Sequence, residues 1–191
     1  MRWLAHVYLR LRRWRIDGEL PPEPKFVAIG APHTSNWDFV VFLGVIHRFR
    51  LPARYLGKHT LFRWPFGGLM RRLGGIPVRR DRPGSLAEDV AAEFRAARTM
   101  VLMMAPEGTR DATTSWKSGF YRIGLAAQVP IVPVAIDLAG RRVAIGPAIA
   151  LTGNVGADMD RIRTIYATLD PEHPVTATIR LAEETLGNDG A

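Results

Sequence analysis
The sequence predicts a single α/β sandwich: a mostly parallel central sheet flanked by helices, with an amphipathic helix at the N-terminus. Three observations carry this. From Lys25 onward, short apolar runs of strand length alternate with segments of helical period, the pattern left by strand–helix–strand units. Thr99 to Met104 reads as one continuous apolar strand, buried on both faces. The chain has 191 residues, 47% of them apolar, which suits one core and is too little for two.

The first sixteen residues read as one helix. Trp3, Leu4, Val7, Tyr8, Leu11 and Trp14 recur at three- and four-residue steps and line one face. Arg2, Arg10, Arg12, Arg13 and Arg15 fill much of the rest, and no acid precedes Asp17. Tryptophan on one side and arginine on the other marks a helix lying in a membrane interface. A helix docked on the domain with a solvated basic side leaves the same pattern, so both readings stand. Leu20-Pro21-Pro22-Glu23-Pro24 is an extended linker. Residues 1–20 are thereby set apart as helix and linker, and 21–191 as the main domain.

Within that domain, Phe26 to Ile29 is a short strand, and Asn36 to Phe49 a helix with Ser35 or Asn36 as N-cap. Ala53 to Leu56 is a strand, and Leu61 to Leu73 a helix broken by Pro65, Gly67 and Gly68. Gly75 to Val78 is a strand, and Ser85 to Arg98 a helix with Leu86, Val90, Phe94 and Ala97 on one face. After the strand at 99–104, Ser118 to Gln128 is a helix, then Ile131 to Ile136 and Val143 to Ile149 are strands. Ala157 to Leu169 and Pro174 to Leu186 read as helices.

There are 26 basic and 18 acidic residues, a net charge of +8, and only Lys25, Lys58 and Lys117 are lysines. Arginine offers a planar fork to phosphate where lysine offers a point charge, so an anionic partner is expected. The basic residues do not fall into a nucleic-acid-binding pattern, and no nucleic-acid partner is expected. The absence of cysteine excludes disulfides, cysteine–zinc sites and a thiol nucleophile. The five histidines are scattered without ligand spacing, so no metal is expected. The longest apolar run, Phe39 to Ile46, is far below the ~20 residues that span a bilayer, which points to a protein that does not cross a membrane.

Three segments carry candidate chemistry. His33 and Asp38 follow a strand and open a helix. Five residues apart on one continuous helix they would stand about 140° from each other. With His33 ahead of the cap and Asp38 in the first turn, the chain can fold back so that they meet. The aspartate then fixes one imidazole nitrogen and leaves the other as a general base. Pro106-Glu107-Gly108-Thr109-Arg110 follows the buried strand, where parallel sheets build their ligand sites. Gly108 admits close backbone approach, Thr109 a hydroxyl and Arg110 a phosphate fork, while Glu107 is placed to orient Arg110 or His33. Arg79 and Arg80 end a strand, with Lys58 upstream, and there they clamp an anion or are merely solvated.

The combination resembles a known family. His33-x-Ser35-x-x-Asp38, then Gly75-Ile76-Pro77-Val78-Arg79-Arg80, then Pro106-Glu107-Gly108-Thr109-Arg110, then Val129-Pro130-Ile131-Val132-Pro133-Val134 are similar to the four ordered blocks of the glycerophospholipid acyltransferases of the lysophosphatidic acid type. Pro32 stands where that family often has Asn, and Pro77 where it often has an aromatic residue. The resemblance implies transfer of an acyl group from acyl-CoA or acyl carrier protein to the hydroxyl of a lysophospholipid, with no further cofactor. It implies His33 as base, Asp38 as its orienter, and Lys58, Arg80, Glu107, Gly108, Thr109 and Arg110 as substrate-binding residues. It also implies a cytoplasmic protein held peripherally on the inner face of the cell membrane, against an anionic surface. An acyltransferase for a lysolipid without phosphate, or a basic membrane-binding protein without catalysis, remain the alternatives.

Overall fold
A computed structural model provides the structure and describes residues 2–33, 35, 37–78, 85–108, 115–171 and 180–181. In chain order the elements are α1 (Arg2–Leu11), β1 (Arg15–Asp17), β2 (Lys25–Ala31), α2 (Trp37–Phe49) and β3 (Ala53–Lys58). A 3₁₀ turn (His59–Phe62), α3 (Gly67–Arg72), β4 (Gly75–Val78), α4 (Ser85–Ala96), β5 (Met100–Met104), β6 (Ser115–Trp116) and α5 (Gly119–Ala127) follow. β7 (Ile131–Asp137), β8 (Arg142–Ile145), α6 (Val155–Leu169) and β9 (Arg180–Leu181) complete them. The main sheet has the order β1-β8-β7-β2-β5-β3-β4. Its five strands from β7 to β4 are parallel, while β8 runs antiparallel to β7 and β1 follows β8. This is the α/β sandwich that the alternation of periods predicts.

Side chains on a strand point alternately to the two faces, and β2 shows the consequence. Val27, Ile29 and Ala31 enter one core layer with Val90 and Phe94 of α4, Phe120 and Ile123 of α5, and Met159, Ile162 and Tyr166 of α6. Phe26 and Ala28 enter the opposite layer with Leu9 of α1 and Val41 of α2. A strand buried on both sides must be apolar at every position, which is why β2, β5 and β7 read as continuous apolar runs. Tyr166 reaches through the first layer and its hydroxyl donates to Ile29 O at 2.5 Å, which fixes α6 to the middle of β2.

The N-terminal segment differs from its expected form. The helix stops at Leu11 rather than continuing to Ile16. Arg13 takes a left-handed conformation (φ 55°), and the Trp14 N–H donates to Leu9 O at 2.9 Å, a cap that usually recruits glycine. Arg15–Asp17 then pairs with β8 at the sheet edge, where the Arg142 Nε meets Asp17 Oδ2 at 2.6 Å. The expected apolar stripe also splits. Ala5 and Leu9 are buried, while Trp3, Leu4 and Leu11 are exposed. α1 lies on α2 at Gly44, where an added Cβ would stand 2.4 Å from Leu9 Cδ1 and 3.1 Å from Ala5 O.

Two further differences have local causes. The expected strand to Ile149 ends at Ile145, because Gly146 and Pro147 interrupt it. Ile149 then pairs again with β7 by an antiparallel bridge to Ile131. Most of 174–186, expected as helix, lies outside the described residues. Arg180–Leu181 forms a strand, pairing in parallel with Ser115–Trp116, whose Trp116 ring is buried edge-on against Phe120 and Tyr166.

Gly44→Val should therefore lower stability by about 1–3 kcal/mol, the usual cost of overpacking, by pushing α1 off α2. Denaturant unfolding checks this; an unchanged midpoint would mean that α1 is not held at Gly44.

Candidate active site
β2 and β5 are neighbours, yet their connections leave in opposite directions. β2 continues through α2 on one face of the sheet, and β5 through α5 on the other. Where adjacent parallel strands part in this way, a crevice opens outside their carboxyl ends. His33 lies two residues beyond β2, and Glu107 three residues beyond β5, so both stand at that crevice.

Capping of α2 fixes the geometry. Ser35 Oγ accepts the Trp37 N–H at 3.2 Å, and the Asp38 carboxylate reaches back so that Oδ2 accepts the Ser35 N–H at 3.0 Å. Ser35 Oγ and the Asp38 carboxylate thus each take a backbone amide at the entry to α2. The same Oδ2 lies 3.0 Å from His33 Nδ1. Asp38 is only 4% exposed, and its negative charge sits at a helix N-terminus, where the helix dipole favours it. The His33 side chain keeps 29% of its surface exposed. With Nδ1–H directed at the carboxylate, Nε2 carries the lone pair and is the nitrogen free to take a proton.

Glu107 holds His33 from the other side. Its Oε2 accepts the His33 backbone N–H at 2.9 Å. Burial pushes the Glu107 carboxyl above its ordinary range, the nearby Asp38 charge adds to this, and the His33 N–H opposes it. The structure brings Glu107 to His33, one of the two partners expected for it; the other, Arg110, lies outside the described residues. Gly108 adopts φ +66°, and a Cβ there would stand 2.9 Å from Lys117 Cγ. The Lys117 N–H also closes on Pro106 O at 2.7 Å. Sequence reasoning gave Lys117 no role; its one signal was the rarity of lysine in a chain rich in arginine.

Lys58 ends β3 and is exposed. Ala28 lies opposite Met103, and Met103 opposite Tyr55, so three residues on Ala31 and Lys58 are level across the sheet. They are two strand spacings, or ~10 Å, apart. Val78 lies opposite Lys58. Arg79, Arg80, Thr109 and Arg110 themselves lie outside the described residues. Among the described residues no group of three His, Asp or Glu side chains is placed to hold a metal ion.

A family model described as Acyltransferase matches residues 14–137. The chain belongs to the acyltransferase family. Among its curated relatives, the 1-acyl-sn-glycerol-3-phosphate acyltransferase of Escherichia coli (strain K12) is 31% identical over 121 residues, 59% of this acyltransferase chain and 47% of the relative. That of Borreliella burgdorferi is 28% identical over 141 residues, 70% of this chain and 53% of the relative. The acyltransferase chain thus spans about half the length of the curated relatives it matches. The crystal structure of the 1-acyl-sn-glycerophosphate (LPA) acyltransferase from Thermotoga maritima aligns with TM-score 0.62 over 89% of this chain and 77% of that one. At 15% identity that likeness is one of fold.

Glu107 gives a test that needs no substrate. A carboxyl raised by folding binds more protons folded than unfolded, so its contribution to stability falls as pH rises from the ordinary glutamate value through the raised one. Glu107→Gln keeps an acceptor for the His33 N–H and removes that loss. Its denaturation midpoint should gain on the parent's as pH rises through that window. A difference independent of pH would contradict the burial of the charge.

Proposed function
We propose that this protein transfers a fatty acyl group from an acyl thioester, acyl-CoA or acyl carrier protein, to the free hydroxyl of a lysophospholipid such as 1-acylglycerol 3-phosphate. The observation that carries the reading is the 3.0 Å contact of His33 Nδ1 with the buried Asp38 carboxylate, at the crevice between β2 and β5. The names of the curated relatives support the acceptor class.

In this reading His33 Nε2 takes the proton of the acceptor hydroxyl as its oxygen attacks the thioester carbonyl. A new C–O bond forms, the tetrahedral intermediate collapses, and the C–S bond breaks. The proton passes from His33 to the departing thiolate, so the imidazole returns to its starting state. Asp38 holds the ring in the required tautomer and stabilises the imidazolium that forms in between. Glu107 keeps the His33 backbone in place. Lys58, Gly108 and, beyond the described residues, Arg80, Thr109 and Arg110 form the acceptor pocket, with the arginine forks on the phosphate. A lysolipid resides in the bilayer, which places the protein peripherally at an anionic membrane surface, on the cytoplasmic side of the inner face. No helix among the described residues is long and apolar enough to cross a membrane.

Free-thiol release and mass spectrometry, with both donor types crossed against lysolipids with and without a terminal phosphate, test the proposal. Transfer to a phosphate-bearing acceptor is expected. Transfer only to acceptors without phosphate would move the substrate class, and no transfer to any would overturn the proposal. His33→Ala and Asp38→Asn should each lower kcat by ~10²–10⁴ while the melting temperature stays close to the parent's. A His33→Ala variant retaining more than a few per cent of activity would remove the histidine from the mechanism.

A further inference from the structure
The segment from Leu61 to Leu69 protrudes apolar side chains into solvent. Trp64 is 93% exposed, Phe66 65%, Leu61 52% and Leu69 38%. Large aromatics grouped in this way on a surface mark an interaction site, unlike single exposed leucines. The protrusion is braced. The Phe62 ring is buried, within 3 Å of where Cβ atoms on Gly57 and Gly75 would stand. Gly67 approaches the Phe62 carbonyl so closely that an added Cβ would lie 2.0 Å from its oxygen. The Gly67 N–H donates to Arg63 O at 2.8 Å, and the Arg71 guanidinium lies 5.7 Å from the Phe62 ring centre. Phe62 is thus turned inward as an anchor, and its neighbours are held outward.

The charge that this segment itself carries has one sign. Arg63, Arg71 and Arg72 are exposed beside it. From residue 39 to residue 80 the chain carries nine arginines and lysines and no aspartate or glutamate. Its place in the fold matters as much. The 3₁₀ turn begins directly after Lys58, level with the end of β2 and ~10 Å from it, on the carboxyl edge that holds His33. Trp37, 57% exposed, lies on the same edge, four residues after His33.

We propose that the 61–69 knob is a bilayer-inserting surface that brings the catalytic crevice down onto an anionic membrane. Trp64 and Phe66 enter the head-group region, and Arg63, Arg71 and Arg72 meet anionic lipid around them. A second copy of this chain is disfavoured as occupant, because two such faces would oppose arginine with arginine. The proposal rests on the reading that the acceptor is a bilayer lipid, and binding is therefore measured without donor or acceptor.

The test uses the full chain with vesicles of phosphatidylcholine alone and with phosphatidylglycerol. Trp64→Ala/Phe66→Ala, both highly exposed, should keep the parent's melting temperature and lose ~10-fold or more in partitioning to the mixed vesicles. Added salt should weaken the parent's binding, and vesicles of phosphatidylcholine alone should bind it less. With brominated lipid, parent fluorescence should be quenched, and the conservative Trp64→Phe variant should lose most of that quenching. Activity on a soluble short-chain lysolipid should be the same in both variants and the parent. Unchanged partitioning of the double variant, or equal quenching in parent and Trp64→Phe, would overturn the proposal. So would a parent dimer that Trp64→Ala dissociates, since the knob would then be an interface between copies. A loss of vesicle binding in a chain that acylates no lysolipid would uphold this surface and refute the proposed acceptor instead.

Discussion
One carboxylate oxygen organises the site. Asp38 Oδ2 accepts the Ser35 N–H and meets His33 Nδ1, both at 3.0 Å. The first contact ties the chain entering α2 to the helix's first turn. The second sets the tautomer of an imidazole. Because the same atom makes both, the start of α2 cannot fray without releasing His33. The spacing His33-x-Ser35-x-x-Asp38 thus lets one carboxylate at the start of α2 reach both the serine amide and the histidine two residues ahead of it. Its serine is used for local structure.

Two carboxylates, Asp38 and Glu107, hold one histidine by different handles. Asp38 takes the ring and Glu107 the backbone amide. Asp38 lies in the first turn of α2, which follows β2, and Glu107 follows β5, so they are joined only because the sheet order puts β5 beside β2. The core beneath is rigid for the same reason. Tyr166 ties α6 to Ile29 in β2, and its buried phenol is pushed far above its ordinary pKa. Nearby, the fully buried Asp158 accepts from the Tyr121 hydroxyl at 2.9 Å and the Thr152 N–H at 2.8 Å. Burial raises its pKa, but those hydrogen bonds prevail and leave it lowered, so its charge is accommodated. Beneath the crevice, Tyr166 is thus paired to backbone, and Tyr121, Asp158 and Thr152 to one another.

The fold class was legible because strands buried on both faces leave apolar runs that short helices separate. The pairing of His33 with Asp38 was legible because a cap breaks helical continuity just where the geometry needs a reversal. Helix ends were less so. α1, α2 and α5 end in left-handed residues, but these are Arg13, Arg50 and Gln128 rather than glycine, so no letter announces the stop. The edge strand Arg15–Asp17 is too short to show a period and exists through its pairing with β8. Whether Glu107 serves Arg110 or His33 depends on strand order, which links positions 74 residues apart and has no local signal. The contact of Lys117 with Gly108 was hidden in the same way.

The proposed role of His33 requires that Asp38 hold the proton on Nδ1 and leave Nε2 free. Nitrogen-15 NMR of the His33 imidazole in the resting protein, at a pH where the ring is neutral, reads this directly. A protonated Nδ1 coupled to its hydrogen and an unprotonated Nε2 are expected, with Asp38→Ala shifting the population toward the other tautomer. A ring protonated at Nε2 in the parent protein would contradict that role.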